Sequence, residues 1–237
     1  EGTPPTGAIA FDRDLNPGPL AQAEVPLTFP KDGWVEQDPE HIWARTLDVC
    51  RKVIAACGGV DEIAGIGIAN QRETTLLWDQ DTGAAFGPAI IWQDRRTADT
   101  CEALKAAGKE REVQSLSGLL LDPYFSATKL SWILKNNPEA KAAADAGRAA
   151  FGTVDSFLLA RLTSGKVHAT DVTNASRTLL MDLSTLAWSD HLCGLFDVPF
   201  KCLPSIGPSG DTYGETDPDL FGKAIPVLSM IGDQQEA

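Results

Sequence analysis

Three short apolar runs in this chain stop abruptly at polar residues. Ile63 to Ala69 leads into Asn70-Gln71-Arg72-Glu73-Thr74-Thr75, Ala89-Ile90-Ile91-Trp92 into Gln93-Asp94-Arg95-Arg96-Thr97, and Ile225 to Ile231 into Gly232-Asp233-Gln234-Gln235. Apolar runs this short, bounded by turn signals, read as buried strands. Segments with helical spacing lie among them, and strands interleaved with helices predict an α/β fold, a mixed central sheet flanked by helices. Ligands of open α/β sheets collect outside the strand ends, so these polar ends are where a site belongs.

The remaining elements fit the same pattern. Ala8 to Phe11 and Leu20 to Leu27 predict a hairpin that turns at Asn16-Pro17-Gly18-Pro19. Asp38-Pro39 opens a helix carrying Ile42, Leu47, Val49, Val53 and Ile54, and Gly58-Gly59 stops it. Leu76-Leu77-Trp78, before the turn Asp79 to Gly83, reads as a strand adjacent to the Ile63 run. Helices are expected over 97–107, 126–135, 139–146 and 155–162, and a further strand over 179–183. Nothing marks a linker or a repeat, so residues 1–237 are expected to form one domain.

The formal net charge of −13 argues against nucleic acid or an anionic membrane as partner, because both require clustered cations. No apolar run has the length of a membrane span, and no charged region followed by an apolar one opens the chain. The five cysteines form no C-x-x-C pair, and an odd number suits a reducing cytoplasm better than a disulfide framework. Cys50 and Cys57 share a helix face, where buried thiols are favoured over a redox pair. His41, His168 and His191 lie apart from any Cys and from one another, which argues against zinc.

Arg72 offers a rigid fork of donors and Glu73 only acceptors, a combination able to hold neighbouring hydroxyls. A loop with an Arg–Glu ion pair explains the same two residues. Trp92 at its strand end suits the apolar wall of a sugar pocket or plain core packing. Asp122-Pro123-Tyr124-Phe125-Ser126 presents a phenol before a helix, or is a cap with Phe125 in the core. Asp233 stands where a strand turns into a helix. A carboxylate there accepts the proton of a hydroxyl that must become a nucleophile, or merely caps the helix. Glu1 to Gly7 is a small-residue turn of the kind that lets backbone approach a phosphate, although Pro4 and Pro5 remove two donors.

Taken in order, these segments resemble the FGGY carbohydrate kinase family. The stretches that carry the likeness are Gly33 to Pro39, Asn70 to Thr75, Ile91 to Thr97, Asp122 to Ser126, Gly152 to Asp155, Thr170 to Thr178 and Gly232 to Gln235. Asn70 to Thr75 and Trp92 to Thr97 are similar to the branch that phosphorylates glycerol, rather than xylulose or gluconate. The resemblance implies a fold of the actin and hexokinase type, with ribonuclease-H-like domains. It implies ATP-dependent phosphorylation of glycerol with Mg²⁺, in the cytoplasm, by a homo-oligomeric parent whose C-terminal domain binds the nucleotide. Kinases of other sugars or polyols, and a non-catalytic polyol-binding relative, are the alternatives. Arg72, Glu73, Tyr124, Asp233 and Gln234 would bind the glycerol hydroxyls beside a Trp92 wall. Asp233 would act as general base, and Thr3 would belong to the phosphate-binding turn. The chain departs from the family's first turn: it starts at Glu1 without the leading Asp, and has Pro4, Pro5 and Gly7 where hydroxyl residues and an Arg are expected. The chain alone is therefore expected to be inactive.

Overall fold

The computed structural model describes residues 6–236. It opens with an antiparallel hairpin, β1 (Thr6–Phe11) and β2 (Pro17–Ala23), in which Ile9 lies opposite Leu20. The turn comes earlier than expected. The Asp12 carboxylate accepts from the backbone N–H groups of Asp14 and Asn16, each at 2.9 Å, so 12–16 reverses the chain. Pro17 and Pro19 fall inside β2, which among the described residues pairs only with β1 and so has an edge where a missing N–H is harmless.

After β3 (Glu36–Gln37), helix α1 (Pro39–Ala56) starts as the sequence predicts. The Asp38 side chain accepts from Glu40 N at 2.8 Å, a cap worth about 1 kcal/mol, and Gly58 and Gly59 end the segment with positive φ. Next come β4 (Ile66–Asn70), β5 (Leu76–Asp79) and β6 (Ala89–Ile90). The expected strand through Trp92 stops at Ile90, because Asp94 N donates back to Ile91 O at 3.0 Å and the Asp94 carboxylate takes Val35 N at 2.6 Å.

A largely helical stretch follows: α2 (Ala98–Ala106), α3 (Glu110–Ser117), α4 (Ser126–Asn136) and α5 (Pro138–Asp145). Strand β7 (Ala149–Gly152) leads into α6 (Val154–Leu162), and β8 (Ala169–Asp171) into the single turn α7 (Val172–Ala175). The run expected as a strand over 179–183 forms only β9 (Met181–Asp182), because Leu179 adopts φ +65° and cannot be extended. It pairs with β10 (Ala187–Trp188), before α8 (Asp190–Phe196), β11 (Ser205–Gly207) and α9 (Pro218–Phe221). The described chain closes with β12 (Val227–Gly232) running directly into α10 (Asp233–Glu236).

Parallel and antiparallel pairing both occur, so the fold is mixed α/β. The ladders are two-stranded, however, and no single central sheet joins them among the described residues. β4 pairs in parallel with β12, and β8 with β11; β5 pairs antiparallel with β7, and β3 with β6. β4 and β5, expected side by side, thus belong to different ladders. The strand β5 is buried on both faces. Leu77 enters a cluster with Phe125, Leu130 and Phe151, while Leu76 and Trp78 enter a second with Ile68, Phe157 and Met230. A wall buried on both sides explains why its sequence is continuously apolar rather than alternating.

Candidate active site

The parallel register of β4 and β12 builds the site. Gly232 lies opposite Asn70, so the polar segments after both strands emerge together, Arg72-Glu73 from one and Asp233-Gln234 from the other. Their approach requires a glycine. A Cβ on Gly232 would sit 2.7 Å from Arg72 Cγ, closer still to Arg72 Cδ, and 2.9 Å from Gln235 Oε1. The two ends are tied through α7. Asn70 and Asn174 exchange amide hydrogen bonds at 2.9 and 3.0 Å. Thr173 Oγ1, held by Asp171 Oδ2 at 2.7 Å, accepts from Gly232 N at 2.8 Å.

Arg72 is buried at the centre. One terminal nitrogen donates to Gln234 Oε1 at 3.0 Å and lies 4.0 Å from Glu73 Oε1. Its Nε is 3.4 Å from Asp233 Oδ1, but the angle makes this a charge contact, and Nε has no hydrogen-bond acceptor among the described residues. Asp233 is half-exposed, so its carboxylate faces solvent where a ligand would enter. It is the first residue of α10, and the strand-to-helix junction expected at Gly232-Asp233 is therefore present.

Glu73 is almost wholly buried and adopts φ +63°, a conformation non-glycine residues rarely take. Burial pushes its carboxyl above the ordinary range, against the pull of Arg177, Arg72 and Lys129. The Arg72–Glu73 pair is thus no isolated ion pair, since the closer partner of Glu73 is Arg177, whose Nε donates to Glu73 Oε1 at 2.7 Å. Trp92 and Tyr124 meet edge to face, their rings 5.7 Å apart, and Arg177 lies over the rings of Tyr124 and Phe125. Burial, then the neighbouring Glu73 charge, raise the Tyr124 phenol. Of the cap reading of 122–126 only the core position of Phe125 holds: Asp122 Oδ1 takes Tyr124 N at 2.9 Å in the turn before α4, whose N-cap position is Phe125 and carries no side-chain cap, while Tyr124 lies against Trp92.

The structure therefore brings Arg72, Glu73, Gln234 and Asp233 into one constellation, and Trp92 to Tyr124, which borders Glu73 through Arg177. Thr3, with the rest of Glu1 to Pro5, lies outside the described residues. Two residues escaped the sequence reading. Arg177 sits in a polar run without a strand end to mark it. Lys129, fully buried, hides among the apolar residues of α4, and its ammonium donates to Glu73 O at 2.9 Å and Tyr124 O at 2.7 Å. Burial lowers its pKa to about 7. Conversely, Asp94 and Arg96 pair with each other at 2.8 Å, and Arg96 stacks on Trp34 and Trp132, so this part of the second motif is structural.

Residues 1–237 match the FGGY family of carbohydrate kinases, N-terminal domain. A glycerol kinase of Methylobacterium nodulans is 56% identical over the whole chain, which covers 47% of that protein. The chain belongs to the FGGY carbohydrate kinase family. A second relative, a glycerol kinase of Rhodospirillum centenum, is 53% identical and covered to 48%. Among solved structures, Plasmodium falciparum glycerol kinase with ADP superimposes with a TM-score of 0.92 at 35% identity, across 98% of this chain and 47% of that one. A gluconate kinase from Lactobacillus acidophilus, 19% identical, shares the fold at a TM-score of 0.85, over 96% of this chain and 45% of its own. The chain thus spans about half the length of the curated FGGY relatives it matches. Among the described residues no helix is long and apolar enough to cross a membrane.

Proposed function

We propose that this chain is the substrate-holding, N-terminal half of an ATP-dependent glycerol kinase whose nucleotide-binding domain follows in the parent protein. The observation that carries the reading is the buried Arg72 Nε, a donor without an acceptor among the described residues, 3.4 Å from the half-exposed Asp233 carboxylate. Buried donors are almost always satisfied, and a hydroxyl oxygen of a small polyol placed here would satisfy this one. Glu73 and Gln234 would take further hydroxyls, and the Trp92–Tyr124 wall would cover the carbon skeleton. Relatives named glycerol kinase at above 50% identity along the chain support glycerol over other polyols.

In this reading the residues of the chain position and deprotonate. Arg72 and Glu73 fix the polyol, and Asp233 accepts the proton of the terminal hydroxyl as its oxygen attacks the γ-phosphorus of ATP, the leaving group being ADP. A carboxylate exposed at the start of α10 suits that role. Among the described residues no three His, Cys, Asp or Glu side chains converge as a metal site. The Mg²⁺ of this reaction would be held mainly through the nucleotide phosphates and would neutralise their charge. A ribonuclease-H-like fold belongs to the same reading, supported by kinase neighbours of the same fold, and the reading carries a cytoplasmic location with it.

The test is phosphate transfer by the full-length protein with glycerol, xylulose or gluconate as acceptor. Preference for glycerol is expected, and preference for a pentulose overturns the reading. Asp233→Asn should lower kcat by about three decades or more while glycerol binding survives; an unchanged kcat removes Asp233 from the role of base.

A further inference from the structure

We infer that Lys129 is a positioning residue for polyol binding, holding the Glu73 backbone in its strained conformation and joining it to the Tyr124 turn. This rests on the glycerol-kinase reading and assigns that site a residue beyond the side chains facing the ligand. Glu73 is the one described site residue with φ in the left-handed region, at +63°, a conformation that persists only where surroundings enforce it. Its carbonyl oxygen is the point of enforcement. Lys129 Nζ donates to it at 2.9 Å, the shortest of three contacts, with Thr75 Oγ1 at 3.2 Å and Ser126 Oγ at 3.4 Å. The same ammonium donates to Tyr124 O at 2.7 Å. One fully buried cation thus fixes the backbone of the residue that would accept a hydrogen bond from a polyol hydroxyl and of the residue that would wall the pocket. The groups facing Lys129 are Glu73, Asp94, Asp122 and Arg96. None of the described carboxylates makes a direct ion pair with it, so its hydrogen bonds go to backbone carbonyls.

The placement within α4 makes this specific. Ser126, Ala127, Thr128, Lys129 and Leu130 are all buried. A lysine in such a position is retained only where its hydrogen bonds compensate for desolvation. An apolar residue of similar length would fill the volume but remove the charged donor from both carbonyls, leaving Glu73 O with only the longer Thr75 and Ser126 hydroxyl contacts and cutting its tie to Tyr124 O.

The decisive experiment compares full-length wild type, Lys129→Met, Glu73→Ala and the double variant, measuring glycerol KM, ATP KM, kcat and thermal midpoint. Lys129→Met is expected to raise glycerol KM about 10- to 100-fold, the range for losing a hydrogen bond to a charged group, with ATP KM within about twofold of wild type. In the Glu73→Ala background the same change should have little further effect on glycerol KM, because Lys129 acts through Glu73. Lys129→Gln, which keeps a donor, should recover part of the loss. A wild-type glycerol KM in Lys129→Met overturns the inference, and so does a loss that adds in full to that of Glu73→Ala. If Lys129→Met does not fold, Lys129→Gln and Ser126→Ala in the same cycle decide the matter by the same criteria. Absence of glycerol phosphorylation in wild type would instead sink the functional reading itself.

Discussion

The sharpest test of the site geometry is Gly232→Ala. A methyl group at this position would lie 2.7 Å from Arg72 Cγ and 2.9 Å from Gln235 Oε1, whereas non-bonded carbons settle near 3.5–4.0 Å. The Arg72 side chain must therefore retreat by about 1 Å, and being buried it has little room to do so. That shift is comparable to the margin of its 3.0 Å bond to Gln234 Oε1, and a misplacement of about 1 Å costs on the order of 100-fold in reactivity. Overpacking adds about 1–3 kcal/mol of destabilisation. Gly67→Ala is the internal control. There the new Cβ would meet Ser229 Oγ at 2.6 Å, but a hydroxyl rotates away, so the cost should stay below about 1 kcal/mol. Steady-state kinetics and thermal denaturation of both full-length variants make the comparison. The expected result is a glycerol KM about 100-fold higher in Gly232→Ala and nearly unchanged in Gly67→Ala. Equal KM values in the two variants would refute the claim that Gly232 sets the position of Arg72.

Two further outcomes follow from the buried charges. Asp155 is fully buried, accepts from Thr170 Oγ1 at 2.7 Å and from Thr153, and has its pKa raised to about 6 by burial. A carboxyl whose folded pKa exceeds its unfolded value binds the extra proton in the folded state, so its contribution to stability falls as pH rises from about 4 to 6. Asp155→Asn should therefore gain stability relative to wild type between pH 4 and 7, by up to about 3 kcal/mol; denaturant titrations giving a pH-independent difference would contradict this. Arg177→Met removes the partner 2.7 Å from Glu73 Oε1. It should raise glycerol KM roughly tenfold and move the acidic limb of the kcat/KM profile upward, and an unshifted limb would count against Glu73 binding polyol as a carboxylate.

The polar strand ends were legible because burial and exposure leave a direct record in sequence: an apolar run that stops at Asn70 or Gly232 marks where a strand leaves the core. Helix α1 was equally plain, since its cap and its stop are local chemistry. Elements as short as β8 or β11 carry too few residues to show a period. The turn at 12–16 was misplaced because Pro17 to Pro19 is a breaker signal that an edge strand tolerates.

By itself the sequence pointed to the family and the mixed α/β class, because apolar runs, capping residues and motifs are short-range properties, and the resemblance named the seven residues proposed for the site. Only the tertiary structure decided which of them meet. The pairing of Gly232 with Asn70 joins segments far apart in the chain and leaves Arg72 Nε without a described acceptor beside Asp233. The same structure hides the charge of Lys129 beneath Glu73. A parallel ladder between distant strands is set by how two apolar faces pack around α6 and α7, and no local pattern encodes that register.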